Sequence, residues 1–564
     1  MTIKSSINNL KENFINSNRK KGNIGLVLGP LLFIVIVFLI PTPQSMITVT
    51  LSRSNSLPVI SPQIALGTTI WMLVWWITEC VPLGVTGLLA PFIFVISGIL
   101  GINQALPMFS DPIIWIFISG FILAAAFQKW GLDKRIAYNL ALLYKGNNPK
   151  MAAFFIACLP VFLLTMVGSI TASTAIVFPF VIAFMRILNL PVGITESEGD
   201  VDSKINDQLE SESKSKNTKQ NHHEIKHTSN YAEASFLALG QAATAGAMLL
   251  LISTAPNLIA KATVEDFVPG KTISFDDWFI VGTPHAIMGL LVSWMIIFVL
   301  VKPEFHSLPA TRQQFVNSLR KMGKITQEER IVLSILIAAL FLWIVPSLLR
   351  STYSNNNNGS ELEIDRSAGV FSGIIKILIK NVPESMPALL IILSVALLRT
   401  KKNAHLLTME EMIKAVDWNI VALFGGGLVL GLGMESSGLA TWIGNEISVI
   451  MGSELNSYSV FAASAIIGFV MSYSASNTAS AVITCPIAAT LAIGAGLNPI
   501  PPIIAAALGC SIPSAIPSTT PPMAIIYSSR TVIIVNMLKT GIVSDLIRLA
   551  ILILVGPMLT NLIY

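Results

Sequence analysis

Apolar runs, the longer of them long enough to cross a membrane, alternate along this chain with polar connections. They fall at about 24–40, 62–81, 83–101, 112–129, 279–301, 331–349, 387–399, 421–434 and 546–562. A helix needs roughly 20 apolar residues to cross hydrocarbon, so the runs predict spans. Four other apolar segments are interrupted. Residues 468–488 read GFVMSYSASNTASAVITCPIA, with Ser472, Ser474, Ser476, Asn477 and Thr478 inside seven positions and Pro486 beyond them. Each small polar side chain would need a partner in lipid, so the pattern predicts a broken helix rather than a continuous one.

The interruption is duplicated. GSITASTAIVFPFVIA earlier in the chain superposes at an offset of 307, which carries Ser169 to Ser476, Thr171 to Thr478 and Pro179 to Pro486. Upstream, Glu79 and Pro82 fall on Glu384 and Pro387 at 305, and Asp111 and Gly120 on Asp417 and Gly426 at 306. Downstream, Thr254–Asn257 (TAPN) falls on Thr520–Met523 (TPPM) at 266, because the first half carries a long polar insert. Repeated halves that each hold interrupted apolar segments point to a secondary transporter with its site at the repeat interface.

The fold class expected is an all-α polytopic membrane protein of about eleven transmembrane helices and two re-entrant hairpins. Basic residues 1–22 should stay in the cytoplasm, as should KWGLDKR at 129–135. The first half, 23–301, holds one hairpin at 151–190, interrupted at Gly168–Thr174, and the insert 191–230, which reads as a disordered cytoplasmic loop. A linker at 302–330 leads to the second half, 331–564, with a hairpin at 457–497 entering from outside. An odd number of crossings separates equivalent points. The repeats should therefore be inverted and the C-terminus external, in a plasma-membrane protein.

Composition narrows the chemistry. Of 564 residues 53% are hydrophobic and 12% charged, and mean hydropathy is +0.70, so the bilayer is the solvent. A net charge of +5 is too small and dispersed for nucleic acid. The four cysteines lie in apolar or small-residue runs and read as buried hydrophobes. His222, His223 and His227 lie in the polar insert and read as solvated. Glu79 and Glu384 read equally as interfacial caps or as gates. An enzyme would need a nucleophile with a base, and no histidine lies in a predicted span except the border residue His285. The chain reads as a non-enzyme without a cofactor.

A helix broken inside a membrane exposes amides at one end and carbonyls at the other, suited to anions and desolvated cations respectively. Two tips and two breaks brought together would hold a doubly negative solute with donors while cations sit beside it. Neither Lys nor Arg lies in the tips or breaks, which predicts cation dependence.

Residues 62–562 resemble the divalent anion:sodium symporters. The resemblance rests on VWWITECVPLGVTGLL (74–89), GFILAAAFQKWGLDKRIA (120–137), SNTAS (476–480) and TPPM (520–523). It implies an elevator-type transport domain moving against a dimeric scaffold, Na+ as coupling ion, and a divalent anion as substrate. By match, Ser169, Thr171, Thr254, Asn477, Thr478, Thr520 and Pro521 would meet the substrate. A first sodium site would comprise Thr165, Ser169, Ser253 and Asn257, and a second Ser472, Ser476, Asn477 and Thr519. Ile170 stands where the family has its first tip Asn, Ala255 replaces a Pro and Met523 an Asn. The expected function is sodium-coupled uptake of C4-dicarboxylates such as succinate, malate or fumarate. Sodium-independent dicarboxylate exchange and sodium-coupled sulfate transport are the alternatives.

Overall fold

A computed structural model describes residues 24–53, 57–78, 80–167, 169–192, 229–308, 312–356, 385–400, 403–451, 456–517 and 519–564. The N-terminal segment 1–22, Glu79, Glu384, Gly168 and nearly all of the insert, with its histidines, lie outside the described residues. Those described are helical, apart from irregular connections and an isolated bridge between Arg399 and His405.

Caps and breakers in the sequence set the helix limits. After α1 (Leu83–Gly87), α2 (Pro112–Trp130) starts on Asp111, whose carboxylate accepts from Ile113 N at 2.8 Å, and stops at Gly131 with φ of +71°. Only a residue tolerant of that left-handed turn lets α3 (Leu132–Leu143) follow at once. The first hairpin is α4 (Pro149–Leu164) and α5 (Ile170–Ile187). Then come α6 (Asn230–Gly246), α7 (Ala255–Phe267) and the long α8 (Phe275–Leu300). In the second half α9 (Trp418–Ser436) starts on Asp417, the residue matched to Asp111, whose carboxylate accepts from Asn419 N at 3.1 Å. The second hairpin is α10 (Ser457–Ser474) and α11 (Asn477–Gly494), followed by α12 (Ile500–Cys510), α13 (Pro521–Ser528) and α14 (Ile534–Thr560).

Among the described residues six helices are long and apolar enough to cross a membrane, those ending at Trp130, Leu300, Ser436, Ser474, Gly494 and Thr560. A seventh span arises if Ile24–Leu39 and Gln44–Ser52, bent by 83° across Pro41 and Pro43, are counted as one. Other apolar helices are shorter, α4, α5 and α12 among them.

Three details differ from the sequence reading. The first tip breaks earlier than Gly168–Thr174: the helix resumes at Ile170, because the Ser173 and Thr174 hydroxyls donate to Ser169 O at 2.7 Å and Ile170 O at 2.8 Å and need no gap. The last helix starts at Ile534 rather than 546. Its first turn is held by the Glu233 carboxylate, which accepts from Ile533 N at 2.7 Å and Asn536 Nδ2 at 2.9 Å, and its charges Asp545 and Arg548 are paired inside the protein. His285 is no border residue but lies buried within α8.

The halves interlock. α5 packs on α13, and α7 packs on α11 and α12, so the return helix of each hairpin leans on the broken segment of the other half. α10 and α12 touch backbone to backbone, Gly468 lying against Ala506 and Gly509 against Ala465. Arg135 on α3 takes Glu329 at 2.8 Å and donates to Gly323 O at 3.0 Å, which docks the 302–330 linker. Beside it Lys129 meets Glu411 at 2.7 Å, and that hydrogen bond holds the exposed Glu411 carboxyl below its ordinary range. An exposed pair of this kind adds little stability.

Candidate functional site

Four helix starts face one cavity of about 260 Å³. They belong to α5, α7, α11 and α13. The tips and breaks give it Ser169 and Thr171, Ser253 and Thr254, Ser476, Asn477 and Thr478, and Thr519 and Thr520 with Pro521, and Asp417 and Asn419 add a carboxylate and an amide. Both tips and both breaks therefore meet there. Two starts are capped alike, Ser169 Oγ accepting from Ala172 N at 3.1 Å and Ser476 Oγ from Ala479 N at 3.3 Å, each cap worth about 1 kcal/mol. The other two follow extended threonines, Thr254 at φ −156° and Thr520 at φ −145°, with proline in the first turn. Proline suits that place because the amide it lacks would have no partner within the helix.

Thr165, Asn257 and Ser472 do not line this cavity; they are fully buried behind it. Thr165 Oγ1 has one hydrogen and two carbonyls within reach, Phe162 O at 2.7 Å and Gly246 O at 2.9 Å. Ser472 Oγ likewise has one hydrogen for Asn477 Oδ1 at 2.7 Å and Cys510 O at 2.8 Å. Gly246 ends α6 and Cys510 ends α12, so each half sets a hydroxyl against the carbonyl end of a broken helix. Both nests have more lone pairs than protons. In the first, Asn257 Nδ2 donates to Ala247 O at 2.8 Å and Leu250 O at 2.9 Å, while its buried Oδ1 has no hydrogen-bond partner among the described residues. Ser253 Oγ, which accepts from Leu250 N at 3.1 Å, is close in sequence. Such oxygen-only sets fit a small hard cation.

Unpartnered donors favour the other side. Asn477 Nδ2 and Thr520 Oγ1, both buried and both on cavity-lining residues, have no hydrogen-bond partner among the described residues. The departures from symmetry also take physical form. Ile170 lines the cavity where Asn477 does in the other half, and Met523, matched to Asn257, is buried against Gly240 on α6.

One wall is absent from the sequence-derived set: Leu83, Phe117, Phe121, Asp417, Asn419, Ile420 and Leu423. Asn419 Oδ1 accepts from Gly84 N at 2.7 Å and so joins α9 to α1. Signals were present without pointing to the cavity: Asp417 is the repeat match of Asp111, and Leu83 and Phe121 lie in the stretches 74–89 and 120–137.

Two curated relatives are sodium-dependent dicarboxylate transporters named SdcS. That of Staphylococcus saprophyticus is 28% identical over 535 residues, 94% of this chain and 90% of the relative. That of Staphylococcus aureus is 28% identical over 533 residues, with the same two shares. Among solved structures, the Neisseria gonorrhoeae efflux pump MtrF aligns at 13% identity over 90% of this chain and 96% of that one, with a TM-score of 0.47, at which shape supports no inference. The family model of the sodium:sulfate symporter transmembrane region matches residues 21–563, and the chain is therefore a member of that family, the divalent anion:sodium symporters.

Proposed function

We propose that the protein is a sodium-coupled transporter of C4-dicarboxylates such as succinate, malate and fumarate. The observation that carries this reading is the meeting of four helix N-termini on a cavity whose lining contains no lysine or arginine. A helix end stabilises an anion by at most about 2 kcal/mol, so four give roughly 8 kcal/mol. Taking each bare carboxylate out of water costs on the order of tens of kcal/mol. Dipoles alone therefore fall short, and cations in the two oxygen nests make up the difference. The SdcS relatives, sodium-dependent dicarboxylate transporters by name, support the same choice.

In this reading Asn477, Thr478, Thr520 and the starts of α5 and α13 hold the carboxylates. Thr165, Ser169, Ser253 and Asn257 hold one sodium ion, and Ser472, Ser476, Asn477 and Thr519 the other. The chain crosses the plasma membrane eleven times in two inverted repeats, N-terminus inside and C-terminus outside, and works as a homodimer whose transport domains move like elevators. It catalyses no covalent reaction.

Purified protein in liposomes is expected to accumulate labelled succinate under an inward sodium gradient and to stop when choline replaces sodium. Uptake that survives without sodium but requires internal dicarboxylate would select the exchanger. Accumulation of sulfate with succinate excluded would select the sulfate alternative.

Ile170→Asn tests the depleted first tip. An amide there adds a ligand or donor worth about 1 kcal/mol, so half-maximal uptake should need roughly fivefold less sodium, with unchanged protein yield. An unaltered sodium dependence would show that Ile170 does not limit cation binding.

A further inference from the structure

The last helix buries an ion pair that takes no part in lining the cavity. Asp545 is 0% and Arg548 4% exposed, with Nη1 and Oδ1 3.6 Å apart. A charge inside a membrane-crossing helix costs about 2.5–3.5 kcal/mol on insertion scales and is retained for function. An apolar residue of similar size would pack as well and avoid that penalty, so stability alone does not explain the pair.

Asp545 is fully engaged. It accepts from Tyr473 OH at 2.6 Å, Ser514 N at 2.6 Å and Ser514 Oγ at 2.7 Å. Arg548 is held at one end only: Nη1 donates to Ile512 O at 3.0 Å and to Thr244 Oγ1 at 3.2 Å. Its Nε and Nη2 have no hydrogen-bond partner among the described residues, and the residue lines a small cavity with His285 and Gly289. Gly289 makes the room, since a Cβ there would lie 3.0 Å from Nε. The places held are telling. Tyr473 follows Ser472; Ile512 lies two residues beyond Cys510 and Thr244 two before Gly246. One nitrogen thus joins the turn after α12 to a hydroxyl in the last turn of α6, beside the ends that the Ser472 and Thr165 hydroxyls meet.

We infer that Arg548, fixed by Asp545, is a positioning residue that joins the two oxygen nests, so that a cation entering one sets the geometry of the other. This rests on the sodium-coupled reading above. A cation drawing in the Cys510 carbonyl pulls on Ile512, then through Nη1 on Thr244 and Gly246. The arrangement is a coupling between sites, and couplings of this kind usually change affinity fivefold or more.

Succinate uptake by reconstituted protein is measured against sodium concentration for wild type, Arg548→Lys and Thr244→Val. The wild-type curve should be steeper than a hyperbola. Arg548→Lys keeps the charge, but its shorter side chain ends short of the Nη1 position and so loses both acceptors; its curve should flatten, and half-maximal uptake should need roughly fivefold more sodium or above. Thr244→Val should shift the same way by less, and it decides alone if the lysine variant does not reach the membrane. At saturating sodium the succinate concentration for half-maximal uptake should stay unchanged, a separation that general loosening would not give. Wild-type steepness and sodium midpoint in both variants overturn this inference alone, as does a hyperbolic wild-type curve. Wild-type uptake indifferent to sodium overturns the sodium-coupled reading as well.

Discussion

Asn477→Ala is expected to abolish succinate uptake while leaving the protein folded. In the proposed reading the side chain would serve both kinds of guest: Nδ2 is an unpartnered donor on the cavity wall and Oδ1 lies 2.7 Å from the Ser472 hydroxyl, within the second oxygen nest. Hydrogen bonds to charged groups are worth about 1.5–3 kcal/mol. Losing a donor to a carboxylate and a ligand to a cation should therefore remove 3 kcal/mol or more, on the order of a hundredfold. The fold should not notice. Asn477 is the first residue of α11, where alanine is a good helix former, and the Ser476 cap stays in place. Uptake and thermal unfolding of the same preparation separate the two effects. Wild-type uptake by this variant would show that the second tip is not where the solute is held.

Gly509→Val is expected to act in the opposite way, through the fold. A Cβ at Gly509 would stand 2.3 Å from Ala465 O, and one at Gly468 would stand 2.3 Å from Ala506 O. Both obstacles are backbone, so no side chain can swing aside and α10 and α12 must part. Overpacking of this kind costs about 1–3 kcal/mol, sometimes more. Here it also pulls Cys510 O, one residue on, away from Ser472. The variant should melt well below wild type in detergent, with Gly509→Ala affected less. Wild-type melting of the valine variant would mean that the close approach is not needed.

The interruptions were legible because hydrocarbon is an unforgiving solvent. Ser169, Asn477 or Thr520 in an apolar run must find a partner, and the repeat pointed to stretches that meet at one cavity. The opposite wall of the cavity was illegible for the same reason: Phe117, Phe121 and Leu423 face the cavity with side chains that would suit lipid as well. Helix limits were blurred where a tertiary partner satisfies a polar group. The final span read from 546, yet α14 already starts at Ile534, because Glu233 holds its first turn and Tyr473, Ser514, Ile512 and Thr244 receive Asp545 and Arg548 inside the protein. Thr174 blurred the first tip similarly, its hydroxyl satisfied by the preceding turn. Ile170 was legible as a substitution, but only the geometry gives it a position on the cavity wall.

The crossed packing of α5 on α13 and of α7 on α11 leaves neither duplicate with a complete chamber of its own. Inheritance must then treat the two copies as a single unit: drift in one is felt at once by its sibling, and neither is a spare. That constraint explains how asymmetries such as Ile170 opposite Asn477, or Asn257 opposite Met523, can settle in. Each copy is free to specialise only so far as the other makes good what it has given up.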